Sequence, residues 1–178
     1  SAKLSDMMEG SKVRKAEEEM DKILIQAQNF YQETATQEGR GRFPGQDKYN
    51  MAVGGYTSEL ELIDDIQLFE TFDSEIGANW CSIFGIDHEN APMPAGGFFE
   101  NDTVVAEDVC NACPETRFPG HEDWLYKFGG EAMGSPFQDG HFIYAVIPGS
   151  GSGDDAEPPI LYIADSENPK FLNKMLQF

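Results

Sequence analysis

Within residues 5–37, Val13, Ala16, Met20, Ile23, Ala27, Phe30 and Thr34 recur at alternating spacings of three and four, and Leu24 and Tyr31 widen the stripe. That interval puts side chains on one face of a 3.6-residue helix, while Lys15, Glu17, Glu18, Glu19 and Lys22 fall mostly off it. The pattern predicts one long amphipathic helix, ended by Gly39 and Gly41 and then by Pro44. At 1.5 Å per residue it would extend about 50 Å, more than a compact domain of this size needs. Such a stripe must find a partner layer. The weaker apolar pattern from Ala2 to Gly10 predicts that the first two turns project beyond the body.

The remaining segments indicate what that layer is. Residues 39–55 read as loop, punctuated by Gly-Arg-Gly-Arg-Phe-Pro-Gly and by Gly54-Gly55. Ser58 with Glu61 resembles a capping box and opens a short helix toward Phe72, with Leu60, Ile63, Ile66 or Gln67, and Phe69 as its apolar face. Residues 79–120 are irregular, with prolines at 92, 94, 114 and 119 and all three cysteines. Three strands are then predicted: Trp124 to Phe128 by alternation, His141 to Ile147, and Ile160 to Ala164. The last two flank a long hairpin tip, Pro-Gly-Ser-Gly-Ser-Gly-Asp-Asp-Ala-Glu-Pro-Pro. The fold class expected is α+β: a long N-terminal amphipathic helix packed on one face of a small C-terminal antiparallel sheet, with an irregular, loop-rich middle. At 178 residues and 40% apolar, the chain fits one domain: helix over 1–38, loop and short helix over 39–120, sheet over 121–178.

Charge excludes some functions. The formal net charge is −20, and beyond residue 48 four basic residues face 23 acidic ones. Nucleic acid and anionic membrane surfaces need cations on the protein, so no nucleic-acid partner is expected. The chain has no run of about 18 apolar residues, and Ser1 to Arg14 lacks the apolar core of a signal peptide. Because the sequence starts in mid-helix without Met, an upstream segment is expected to have been removed.

The helix and its exit carry a resemblance. Lys15-Ala-Glu-Glu-Glu-Met-Asp-Lys-Ile-Leu-Ile-Gln-Ala-Gln-Asn-Phe-Tyr-Gln, followed by Gly41-Arg-Phe-Pro44, resembles the type IV pilin-like superfamily, the pilins and the pseudopilins of type II secretion. About 30 residues carry it directly. The resemblance implies a non-enzymatic filament subunit with a processed, methylated N-terminus. It also implies an apolar upstream helix half that anchors the protein in the bacterial inner membrane before assembly. Its partners would be like or related pilin-like subunits and the inner-membrane assembly machinery, and its location extracytoplasmic, in the periplasm or at the cell surface. The residues alone leave a second reading open: a soluble extracytoplasmic cation-binding or ligand-binding domain whose long helix is a partner-binding arm.

Candidate chemistry is sparse. Gly149-Ser-Gly-Ser-Gly153 is followed by Asp154 and Asp155 and then by a strand, so it reads as a hairpin tip rather than a phosphate loop. His88, His121 and His141 are scattered among acids, and no nucleophile, base and orienter share a recognised spacing, so no catalytic residue is assigned. Asp154, Asp155, Glu157, Asp165 and Glu167 flank the last predicted strand, and a hard cation taking six to eight oxygens makes calcium the metal they suit. The resemblance to major pseudopilins, which carry calcium in a late loop, adds to this; a solvated acidic loop is the alternative. No other cofactor is expected. Cys110-Asn-Ala-Cys113 leaves disulfide, zinc and free-thiol readings open, and the expectation preferred is that Cys81 bonds Cys110 or Cys113 and staples the irregular segment. Trp80, Phe84, Phe98 and Phe99 are expected to plug the core under that segment.

Overall fold

Helix α1 runs Ala2–Glu38, three residues beyond its predicted start and one beyond its end. A computed structural model describes residues 2–46, 48–71, 73–85, 120–137, 140–151 and 153–178 of the chain. Ala16, Met20, Ile23, Ala27, Phe30 and Thr34 are all buried, with Val13, Leu24 and Tyr31 packed at the margins. The predicted stripe is thus the packing face. Each fully buried Met, Ile or Phe contributes about 1.5–3 kcal/mol, enough to hold a helix whose polar face adds little.

The stripe beds on a four-stranded antiparallel sheet: β1 (Cys81–Ser82), β2 (Phe142–Ile147), β3 (Ile160–Asp165) and β4 (Asn173–Gln177), in that spatial order. Pairing runs from Phe142↔Asp165 to Ile147↔Ile160 between β2 and β3, and from Ile160↔Gln177 to Ala164↔Asn173 between β3 and β4. Phe142, Tyr144, Val146, Leu161 and Ile163 turn toward α1. The intervening Ile143, Ala145, Ile147, Tyr162 and Ala164 meet Tyr56, Leu62, Ile66, Phe69 and Trp80 on the opposite side. The layout is α+β, but the sheet is buried on both faces rather than one. Phe-Ile-Tyr-Ala-Val-Ile and Ile-Leu-Tyr-Ile-Ala lack the polar alternation of a half-solvated strand, and that is the physical reason.

The second layer is built around α2 (Glu59–Gln67) and the four-residue α3 (Ser74–Gly77). Ser58 caps α2, its Oγ accepting from the Glu61 N–H at 3.3 Å. The apolar face differs from the expected one: Leu62, Ile66 and Phe69 are buried, whereas Leu60 and Ile63 face outward. Both sets have helical spacing, and the sheet surface selects between them.

Two further expectations need correction. Trp124 to Phe128 is not a strand: Gly120–Lys127 forms helix α4, with Glu122 and Asp123 in its first turn and Lys127 in its last. Five alternating residues also fit one helical turn, and Trp124 is buried while Tyr126 projects outward. The Gly130 N–H returns to Leu125 O at 2.8 Å and the Gly129 N–H to Tyr126 O at 3.4 Å, so this glycine pair with positive φ closes a Schellman end. The β4 strand, Asn-Lys-Met-Leu-Gln, lacks β-branched residues and takes its strand character from pairing with β3. Trp80 and Phe84 are buried, as expected; Phe98 and Phe99 lie outside the described residues.

Candidate functional site

The most constrained junction lies where α1 gives way to the loop. The Arg42 N–H donates to Thr34 Oγ1 at 3.0 Å, folding the chain back along the helix it has just left. Arg42 Nε donates to both carboxylate oxygens of Glu38 (3.2 and 3.0 Å), and Nη1 donates to Gln46 O at 3.0 Å. Gln46, itself buried, accepts from the Phe43 N–H through Oε1 and donates through Nε2 to Tyr49 O and Met51 O. A buried ion pair is costly unless its remaining hydrogen bonds are made, and here they are.

The Gly41-Arg-Phe-Pro-Gly45 segment needs its glycines for contact distance. A Cβ on Gly41 would meet the Tyr31 ring at 2.3 Å, and one on Gly45, at φ +87°, would meet Tyr144 Oη at 2.5 Å. Tyr144 Oη donates to Pro44 O at 3.1 Å, and the Gly45 N–H donates to Asp123 Oδ2 at 3.2 Å, so the turn is pinned to β2 and α4 together. Burial, with Cys81 and Asp123 nearby, pushes the Tyr144 hydroxyl well above its ordinary pKa and keeps it a neutral donor.

The β2–β3 connection is tied to the same junction. Ser150 and Glu157 pair across it, a 3-10 turn (Gly153–Asp155) forms its tip, and Arg40 Nη2 donates to Gly153 O at 2.8 Å. Tyr49 Oη donates to Gly151 O, and the Arg40 guanidinium lies 5.0 Å from the Tyr49 ring centre. An open cleft of roughly 270 Å³ remains between Tyr31, Arg40, Tyr49, Glu157 and Pro158. Its one cation is already engaged with a carbonyl and a ring, and its walls hold no Ser, Thr, Cys, Lys or His. The residues expected as a hairpin tip are therefore one, and Arg40 and Tyr49 of the loop that follows α1 hold it down.

The five carboxylates assigned to calcium separate into two groups. Asp154, Asp155 and Glu157 precede β3, whereas Asp165 ends it and Glu167 follows in the turn. A strand of that length spans about 17–20 Å, far beyond the 2.3–2.6 Å at which calcium holds its oxygens, so one ion cannot gather all five. Among the described residues, no group of three or more His, Cys, Asp or Glu is placed to hold a metal ion. A calcium site would have to be built at one end alone, with carbonyl oxygens completing it.

Asp165 is instead a structural carboxylate. It is fully buried, Oδ2 accepting from Ser135 Oγ at 2.6 Å and Oδ1 from the Glu167 N–H at 3.0 Å. Burial raises its pKa above the ordinary 3.8 despite those donors. On the neighbouring pair, Ser166 Oγ lies 3.1 Å from His141 Nδ1 and accepts from the His141 N–H at 3.0 Å. A serine beside an imidazole has the composition of a nucleophile and its base, but both residues are buried. Spacing in the sequence gave no sign of either cluster, because both depend on strand register. Cys81 is buried on β1; Cys110, Cys113 and His88 lie outside the described residues, as does any staple they make.

Comparison with family models, with curated proteins and with solved structures finds no match for this chain.

Proposed function

We propose that this chain is the body of a pilin-like filament subunit, a non-enzymatic structural protein. One observation carries the reading: an unbroken helix whose Ala16 to Thr34 stripe beds on an antiparallel sheet, and which already runs as helix from Ala2, ahead of Ala16, the first buried side chain among those described. A helix that is already running at Ala2, while its buried stripe begins at Ala16, suits a rod that continues into a membrane and then into a filament core. The exit turn supports the same reading, since Gly41 to Gly45 locks the helix to the body at the point where a pulling force along the helix would be transmitted. On this reading the protein is extracytoplasmic, anchored in the inner membrane until assembly, and its partners are like subunits and the assembly machinery.

The test is the gene sequence upstream of Ser1. A Gly followed by an aromatic residue and about 20 apolar residues is expected there. A polar domain or a secretory signal joined directly to Ser1 would overturn the reading in favour of a soluble binding domain that uses α1 as a partner arm.

A further inference from the structure

The α2 layer presents a face that the described residues leave uncovered. Leu60, Ile63 and Leu68 are 68%, 38% and 74% exposed, and Asp64 sits four residues from both leucines on the same helical stripe. Phe171, 66% exposed, belongs to the turn whose Lys170 N–H donates to Phe69 O at 2.9 Å, just past α2. Between Tyr56 and Trp80 the chain has seven carboxylates and no basic residue. Lys170 at its edge is taken up by Glu70, and exposed leucines among otherwise acidic side chains suit a partner that is apolar at its centre and cationic around it.

The complementary segment is present in the same chain. Lys22, Arg42, Lys127, Lys170 and Lys174 each lie within 3.4 Å of a carboxylate. Lys12, Arg14 and Lys15 take part in no ion pair among the described residues, although 32 carboxylates outnumber 12 cations in the sequence. Arg14 and Lys15 are exposed, and half-buried Val13 stands beside them.

We propose that the exposed α2 surface receives the Lys12 to Lys15 segment of a second copy of this chain. The choice of a second copy as occupant rests on the filament reading; the surface itself rests on the exposed leucines. The two contact surfaces differ, so successive copies add head-to-tail, and the association is open-ended unless the copies close into a ring or a reciprocal pair. Net charge opposes it at long range and complementarity favours it at contact. Charges farther apart than about 10 Å are screened at 0.1 M salt, so contact wins there; at 1 M the screening length falls to about 3 Å and contact weakens too. Association is therefore strongest at intermediate ionic strength.

Sedimentation of residues 1–178 over a concentration series at about 0.1 M NaCl tests this. An arm variant (Lys12→Glu, Arg14→Glu, Lys15→Glu) and a surface variant (Glu61→Lys, Asp64→Lys) are each expected to associate at least about tenfold more weakly than the parent. Mixing the two should restore association, because each then meets the opposite charge. Leu60→Ser with Leu68→Ser should weaken it without changing charge, and melts of every variant establish that the fold is kept. A parent that stays monomeric up to about 1 mM overturns the contact, as do reversals that leave association unchanged or a mixture that fails to restore it. A monomeric parent whose gene carries the upstream apolar segment overturns this contact and leaves the filament reading standing. Restored association in a chain without that segment supports the contact and removes the filament reading.

Discussion

The two helices that cover the sheet are finished to different degrees. α1 presents Ala16, Met20, Ile23, Ala27 and Phe30 to one sheet face and leaves Ile25 as its one large, mostly exposed apolar residue among those described. α2 presents Leu62 and Ile66 to the other face and leaves two leucines and an isoleucine outward in nine residues plus its C-cap. A helix needs only one apolar stripe to fold onto a layer. α1 has that much and little more among the described residues, whereas α2 has a surplus that the described residues leave uncovered. The first layer is explained by folding alone; the second asks for a partner.

The sharpest way to break that comparison is to place a carboxylate on each helix. Ala27→Asp puts a charge at a fully buried position and is expected to cost about 3 kcal/mol or more in urea unfolding. Leu60→Asp is expected to stay within about 0.5 kcal/mol. Equal losses would mean that α2's outer face is packed after all.

Gly120→Ala is next in size, and here two effects oppose each other. Replacing a helical glycine gains about 1 kcal/mol of propensity. The new Cβ, however, would fall 1.8 Å from Tyr144 Oη, and overpacking of this kind costs about 1–3 kcal/mol. A net loss in melting temperature is expected; a gain would show that the α1 side of the core is less tightly closed than the α2 side.

Asp165 adds a pH dependence to the same side. Its folded pKa lies above 3.8, so the native state binds its proton more readily than the unfolded chain does. That contribution is present in full below the unfolded value and is lost as pH rises through the folded one. Relative to Asp165→Asn, the parent should therefore lose stability as pH is raised from about 4 upward, as read by paired thermal melts. A flat difference between the two would place the carboxylate in water.

The smallest effect separates the layers themselves. Ser58→Ala removes the α2 cap at a cost of about 1 kcal/mol. Hydrogen exchange should show faster opening of α2 amides with α1 and β3 unchanged, if the second layer opens as a unit of its own.

Legibility in the sequence followed the range of the interactions. α1, the Ser58 cap and the cores of β2 and β3 rest on neighbours within a few residues, and their spacing displayed them. Leu60 and Leu62 could not be told apart that way, since the apolar residues at 60, 62, 63, 66, 68 and 69 offer two helical stripes and only the sheet chooses. β4 and the Trp124 helix failed for the same reason: pairing with β3 makes the first, and the fit of Trp124 beneath α1 makes the second. The carboxylates were visible as composition, but their separation to the two ends of β3 is a matter of register.

The pairing of α1 with the last strands has a consequence during synthesis. Asp21 on α1 meets Lys174 on β4, and Arg40, in the loop just past α1, meets Gly153 ahead of β3, partners 153 and 113 residues apart. At roughly 5–20 residues per second, the ribosome releases the helix on the order of ten seconds before it releases the strands that shelter it. Through that interval Met20, Ile23 and Phe30 are a bare greasy stripe on a nascent chain, a binding site for whatever holdase reaches it first.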